Sequence, residues 1–281
     1  MKPDLHCHSH YSDGSHSPEF LMQRALENNV THLAITDHDY ITWQDKRPAF
    51  DSEIELIPGV EISADWNGKE IHVVGLFIDA ADTALNQMLQ QQRQARKLRI
   101  ARMDEKLNTI GIHGLSSYLE NLPCEAWTRS HVAQFLIEEG HCKNWQRAFK
   151  QFLSRKGKAY SPIQWQSLDE VATLITNAGG IAILAHPGRY SLNKTKLEKL
   201  GDDFKAAGGE AIEGSYGNID LKTKKQLSEL ACNKGLYLSI GSDFHDADRH
   251  WTDIGKAPAL NCQATKNAIW DHPRWHSEIP A

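Results

Sequence analysis

Asp4-Leu5-His6-Cys7-His8-Ser9-His10-Tyr11-Ser12-Asp13-Gly14 opens as a short extended run, ends in ligand-type side chains and turns at Asp-Gly. Side chains two apart in an extended segment share a face, so His6 and His8 point one way and Cys7 the other. Ser17-Pro18 then supplies an N-cap and a first helical residue, and predicts a helix over residues 18–28. The β-prone run His32 to Thr36 follows and again ends on ligand types, Asp37-His38-Asp39. A strand that delivers imidazole or carboxylate at its C-terminal end and returns through a helix is the unit of a β/α barrel, whose chemistry sits at that end.

The unit recurs. Glu61 lies late in the run Ile54 to Ser63, His186 follows Ile181 to Ala185, and Asp243 and His245 follow Leu236 to Ile240. Helices are predicted over 168–177, 192–207 and 221–233, with a further strand over 210–214. Asn67-Gly68 between two β-prone runs predicts a hairpin. A two-residue turn there sets Ser63 opposite His72 and Glu61 opposite Val74, which places Glu61 and His72 on one face as diagonal neighbours.

Residues 81 to about 160 carry a different texture and read as helix throughout, including the polar, basic stretch Gln90 to Lys106. Strand-helix alternation on both sides predicts an α/β barrel over 1–79 and 161–281, interrupted by an inserted, mostly helical subdomain over 80–160. Arg93, Arg96, Lys97, Arg99, Arg102 and Lys106 read as a solvated helical face, with an RNA-guiding face as the alternative.

The 281 residues suffice for a large core. No apolar run approaches the roughly 20 residues that span a bilayer, so no signal peptide or anchor is expected and a cytoplasmic enzyme is. Cys7, Cys124, Cys142, Cys232 and Cys262 are odd in number and lack CxxC spacing, which argues against a disulfide framework and a thiolate zinc site. A formal net charge of -5 repels anions at long range, so an anionic substrate would need local metal and basic groups. The clusters hold more histidine and carboxylate than one ion can use. Without thiolate they suit zinc, manganese or iron, and several converging clusters imply a multinuclear hydrolytic site.

His6 to Gly14, Thr36-Asp37-His38-Asp39, Ala185-His186-Pro187-Gly188-Arg189-Tyr190 and Gly241-Ser242-Asp243-Phe244-His245 together resemble the polymerase and histidinol phosphatase (PHP) family, over nearly the whole chain. Arg129-Ser130-His131, Gly157-Lys158-Ala159-Tyr160 and the His186 to Tyr190 run are similar to the branch of nucleoside 3′,5′-bisphosphate phosphatases and 5′ to 3′ exoribonucleases acting on short RNA. Ser130 stands where that pattern often has proline. The resemblance implies a distorted (β/α)7 TIM-like barrel and three divalent metals, commonly manganese. One metal would take His6, His8, Glu61 and Asp243, a second Asp13, His38 and His245, and a third His72 and His131, with Glu61 bridging.

Glu61, His186 and Asp243 are the candidate catalytic residues. For His186 a general acid, a phosphate contact and a supporting role all stand open. Arg129, Lys158 and Arg189 are the candidate phosphate clamp. Asp37 and Asp39 are expected to hold the loop around His38. His10, His16, His32, His113, His141, His250, His272 and His276 fit no ligand pattern.

The expected substrate is a nucleotide or short RNA, cleaved at the ester 3′ to a nucleotide that keeps its 5′-phosphate. No DNA-duplex readout and no membrane partner are expected, and the oligomeric state stands open. The alternatives are another phosphatase of the family, such as one for histidinol phosphate, or a non-catalytic nucleic-acid-binding module. No polymerase segment follows residue 281, so an attached editing role is not expected.

Overall fold

The computed structural model describes residues 1–43, 54–248, 252–260 and 267–278. His250 and Cys262, and the side chain of His276, lie outside the described residues. Two sheets carry the fold. The first is parallel, β1 (Pro3–Asp4), β2 (His32–Leu33) and β3 (Glu55–Leu56), in that order. The second runs β4 (Gly59–Trp66), β5 (Lys69–Leu76), β6 (Ile181–Leu184), β7 (Ala211–Ser215) and β8 (Tyr237–Ile240). Its β4-β5-β6 pairings are antiparallel and β6-β7-β8 parallel.

The hairpin forms as its turn chemistry dictates. Asn67 and Gly68 both have positive φ, 53° and 75°, the pairing a type I′ turn needs, and Ser63 falls opposite His72 with Glu61 opposite Val74. The sheets meet at the residues just past their strands. Leu5 N–H donates to Ile240 O (3.1 Å), Asp243 N–H to His6 O (2.8 Å) and Asp39 N–H to Glu61 O (2.8 Å). Gly241 makes the first of these junctions possible, because a Cβ there would lie 2.3 Å from the Cβ of His6.

Helix α1 (Pro18–Glu27) begins where Ser17 accepts the Phe20 N–H, and it covers the first sheet with Leu21, Met22 and Ala25. Helices α6 (Leu168–Asn177), α7 (Lys194–Ala206) and α8 (Leu221–Lys234) bury Ile175, Leu200, Phe204 and Leu227 against the second sheet. Burying each such side chain stabilises the fold by roughly 1.5–3 kcal/mol.

Between β5 and α6 the chain is helical only in part. Helix α2 (Thr83–Asn108) is followed by α3 (Leu115–Glu120), α4 (Arg129–Glu138) and α5 (Trp145–Ala148), the last continuing as a π-helical turn over Phe149–Leu153. Residues 109–114, 121–128 and 154–166 are not helical, which corrects the expectation of helix throughout; glycines at 111, 114 and 157 and Pro123 and Pro162 interrupt it. Helix α2 joins two cores. Leu85, Met88 and Leu89 pack with the second sheet, while Ile100, Met103 and Leu107 pack with Leu115, Phe135 and Phe152.

The turns between these halves overturn the reading of a solvated face for Arg96 and Arg99, while Lys97, Arg102 and Lys106 are exposed as that reading expects. Gln92, Arg96 and Arg99 are buried. Gln92 donates to Ser63 O (2.6 Å), Arg96 to Asp39 Oδ2 (2.6 Å) and Ser63 Oγ (2.9 Å), and Arg99 to Ser161 O (3.1 Å). Spacings of four and three residues put them on one face, and a buried guanidinium persists because a carboxylate or carbonyl receives it. Among the described residues no helix is long and apolar enough to cross a membrane.

Candidate metal centre and its cavities

Glu61 stands at the middle of the cluster. Its Oε1 lies 3.0 Å from His72 Nδ1, 2.9 Å from His186 Nε2 and 3.4 Å from His6 Nε2, and its Oε2 lies 3.0 Å from His38 Nδ1 and 3.3 Å from His8 Nε2. Asp243 Oδ1 approaches His8 Nε2 (3.3 Å) and His6 Nε2 (3.5 Å), while Asp13 Oδ1 approaches His245 Nε2 (3.3 Å) and His38 Nε2 (3.5 Å). The strand parity holds: His6 and His8 enter the cluster while Cys7 and Phe244 enter the core beneath.

Among the described residues, four overlapping groups present ligand atoms within 4.8 Å of one another: His8, Asp13, His38 and His245; His6, His8 and Asp243; His38, Glu61 and His72; His6, Glu61 and His186. Eight of the nine expected ligands are there. The ninth, His131, is not: Nδ1 accepts the Thr128 N–H (3.0 Å) at the start of α4 and Nε2 donates to Ser12 O (2.9 Å) in the first loop. His186 stands in the cluster instead. Its backbone, at φ 29°, is strained for a non-glycine residue, as is that of Asp243 at φ 51°.

Packing so many imidazoles against buried carboxylates shifts their proton affinities. Burial opposes charge on His6, but Glu213, Glu61 and Asp243 outweigh it and hold its pKa well above the ordinary value. The same contest, burial against Asp243 and Glu61, takes His8 to about 9, and burial against Glu61 and Glu70 takes His72 to about 10. Burial would raise the carboxyls, yet His38 and His245 hold Asp13 well below its usual range, His72 and His6 hold Glu61 there, and Arg189 and His6 hold Asp243 there.

The donor set fits divalent cations. Asp13 Oδ1, His38 Nδ1 and His186 Nδ1 are buried without a hydrogen-bond partner, and the His38 nitrogen is misaligned for one despite its 3.0 Å approach to Glu61. Buried polar atoms are rarely left so, and nitrogen and carboxylate oxygen without sulfur suit manganese, iron or zinc.

Supporting carboxylates fix the ligands. Glu213 on β7 binds His6 Nδ1 through Oε1 (2.7 Å) and the His186 backbone N–H through Oε2 (2.5 Å), which turns the Nε2 of His6 toward the cluster. It was missed in the sequence, where the signal was an acid inside the otherwise uncharged strand Ala211-Ile212-Glu213-Gly214-Ser215. Asp37 accepts from Ser9 Oγ and Ser12 Oγ, both at 2.6 Å, so it holds the first loop, while Asp39 anchors Arg96. His16 stacks on Phe20 and His272 binds Glu210, both away from the ligand groups.

The cluster opens into a cavity of about 220 Å³ that is also lined by Arg99, Arg129, Glu70 and Phe149. Arg129 meets Glu70 at 3.3 Å. Burial and the neighbouring Arg129 lower the Arg99 pKa to about 10, the mark of two cations facing one space. Lys158, expected beside them, does not line this cavity. It is exposed on the far part of the helical segment, with its ammonium 5.8 Å from the centre of the Phe152 ring. Arg189 pairs with Asp243 and donates to Gly217 O (3.1 Å), with its guanidinium 5.1 Å from the centre of the Tyr216 ring. Beyond it lies a second cavity of about 400 Å³.

Overlapping nitrogen and oxygen donor groups at strand ends, beside an arginine-lined cavity, define a metal-dependent hydrolase for anionic substrates. The PHP domain profile matches residues 4–211, and the chain belongs to the PHP domain family. It is 39% identical over 261 residues to the 5′-3′ exoribonuclease Rnm of Salmonella typhimurium, covering 90% of this chain and 88% of that one. To the 3′,5′-nucleoside bisphosphate phosphatase of Chromobacterium violaceum it is 36% identical over 263 residues, covering 92% of each chain. A solved amidohydrolase from Chromobacterium violaceum, with bound sulfate and no metal, superposes with a TM-score of 0.83 at 34% identity and 92% coverage of each chain.

Proposed function

We propose that the protein hydrolyses the phosphate ester 3′ to a nucleotide that carries a 5′-phosphate, releasing phosphate and a 5′-mononucleotide from nucleoside 3′,5′-bisphosphates and 5′-mononucleotides stepwise from short RNA. The observation that carries this reading is the single cavity that joins the ligand cluster to Arg99 and Arg129. One anion meets the cluster and the other meets the arginines. The relatives named above, a phosphatase and an exoribonuclease, support it.

The first metal would be held by His6, His8, Glu61 and Asp243, and the second by Asp13, His38 and His245. The third would take Glu61, His72 and His186, with His186 replacing His131, because His72 and His186 both approach Glu61 Oε1. Manganese is the expected metal, with zinc or iron as alternatives. When bound, such ions supply a nucleophilic water near neutral pH and neutralise phosphoryl oxygens. Water oxygen bonds to phosphorus, the bond from phosphorus to O3′ breaks, and a proton ends on O3′. Arg99 and Arg129 hold the 5′-phosphate and so select which ester is presented; Glu70, which engages Arg129 in the free protein, gives way to that phosphate. Arg189 faces the scissile phosphate. Glu213 keeps His6 in one tautomer.

We read the two sheets as parts of one distorted (β/α)7 barrel, supported by the hydrogen bonds between β1 and β8 and between Asp39 and Glu61. Residues 80–160 form the inserted subdomain that roofs the pocket. Incubating the metal-loaded protein with adenosine 3′,5′-bisphosphate, histidinol phosphate and a 5′-phosphorylated oligoribonucleotide tests the reading. Release of phosphate from the first and 5′-mononucleotide from the third is expected. Turnover of histidinol phosphate alone would overturn it.

A further inference from the structure

The same phosphorus-oxygen bond breaks in the bisphosphate and in RNA, and the two substrates differ only in what hangs on the phosphate. In RNA one phosphoryl oxygen carries the second nucleoside, a spectator to the cleavage. An enzyme serving both must leave room for it on the side of the scissile phosphate away from the 5′-phosphate clamp. Resting on the function proposed above, we infer that the cavity beyond Arg189 is the subsite for the second nucleotide of an RNA chain.

Among the described residues, two further cavities adjoin the ligand cluster besides the one that holds Arg99 and Arg129. The larger, about 400 Å³, shares Arg189, Asp243 and His245 with it, so the two cavities adjoin at these three residues. The Arg189 side chain is 44% exposed although it pairs with Asp243, so it can face a phosphodiester lying across that junction. Past Arg189 the walls are Tyr216, Asn218, Ile219, Thr223 and Thr252, with hydroxyl and amide groups suited to ribose and phosphate, and Asp220, whose carboxylate is already taken by the Lys222 and Thr223 N–H groups and the Thr223 hydroxyl. The third cavity, about 330 Å³, meets the cluster only through Asp13 and is walled by Tyr118, Leu122, Pro123 and Trp145. Its lining holds no arginine or lysine to face a phosphodiester, whereas the larger cavity begins at Arg189.

The test fills the subsite. Thr223→Trp and, separately, Ile219→Trp place an indole in the space, and each is assayed on adenosine 3′,5′-bisphosphate and on a 5′-phosphorylated dinucleotide. The ratio of dinucleotide to bisphosphate kcat/KM is expected to fall about tenfold or more in both variants. An unchanged ratio in a variant that still hydrolyses the bisphosphate would overturn the inference and leave the proposed function standing. Wild-type protein that cleaves neither substrate would instead sink the proposed function. A second readout needs no turnover: a 5′-phosphorylated dinucleotide with 4-thiouridine in second position, irradiated with metal-free protein, should crosslink within residues 216–223. Crosslinks at Tyr118 or Trp145 would assign the second nucleotide to the other cavity and overturn the inference.

Discussion

Glu61 and His72 sit on facing strands of one hairpin, and Oε1 of the first lies 3.0 Å from Nδ1 of the second. The register that joins them follows from Asn67-Gly68, two residues that accept positive φ. Glu61 touches four further imidazoles, those of His6, His8, His38 and His186.

Glu61→Gln removes a charge shared by these groups. Turnover of adenosine 3′,5′-bisphosphate should fall by more than about a hundredfold, beyond what changing a residue behind a ligand costs. Circular dichroism should remain that of the folded protein. His10→Ala should retain activity, and equal losses in the two variants would remove Glu61 from its central place.

Metal content offers a direct count. Protein purified without chelator and loaded with manganese should carry two to three ions per chain by elemental analysis, because the ligand groups exceed the four to six donors of one ion. At most one ion after loading would end the multinuclear reading.

The arginine pair should read the 5′-phosphate. Arg129→Ala and Arg99→Ala should each reduce kcat/KM for adenosine 3′,5′-bisphosphate by about ten- to hundredfold, the loss of a charged hydrogen bond worth roughly 1.5–3 kcal/mol. Adenosine 3′-monophosphate should be affected much less. An equal effect on both nucleotides would show that these arginines do not select the substrate.

Proton and metal compete for the same nitrogens. His8 and His72 have pKa values raised to about 9 and about 10, above the ordinary 6.5, so the stability they contribute is present below pH 6.5 and is lost as pH rises through 9 to 10. The melting temperature of metal-free protein should fall by several degrees between pH 8 and pH 10. Manganese-loaded protein should change less over that window, and loading at pH 8 should release protons. A parallel fall in both forms, measured by thermal scanning, would contradict the assignment.

Glu213→Gln should lower metal affinity by about ten- to a hundredfold while the fold stays in place, since it touches His6 and the His186 backbone. Titration with manganese under chelator buffering measures it. Unchanged affinity would reduce Glu213 to a packing residue.

Legibility in the sequence followed locality. His6 and His8, Glu61 and His72, Asp243 and His245 were readable because strand parity and a turn type fix neighbours within a few residues. Helix α1 was readable from Ser17-Pro18. His131 stands apart from the ligand groups, and its spacing within a motif says nothing of the Ser12 carbonyl and Thr128 amide that meet its ring. Arg99 and Arg96 were hidden for a related reason: a helix rich in charge looks solvated until the partners from Asp39, Ser63 and Ser161 are in view. Lys158 lay beside a motif in sequence and away from the cavity in space.

Helix α2 spends one half in each of two apolar cores, and 26 residues make it about 39 Å long. Neither core can melt while its half of the helix stays ordered without straining the other. Calorimetry should therefore record one heat-absorption peak for the whole chain, and a Met103→Ala lesion in the far core should shift that peak rather than split it. Residues 80–160 expressed alone would lose the Leu85, Met88 and Leu89 contacts that complete their first helix.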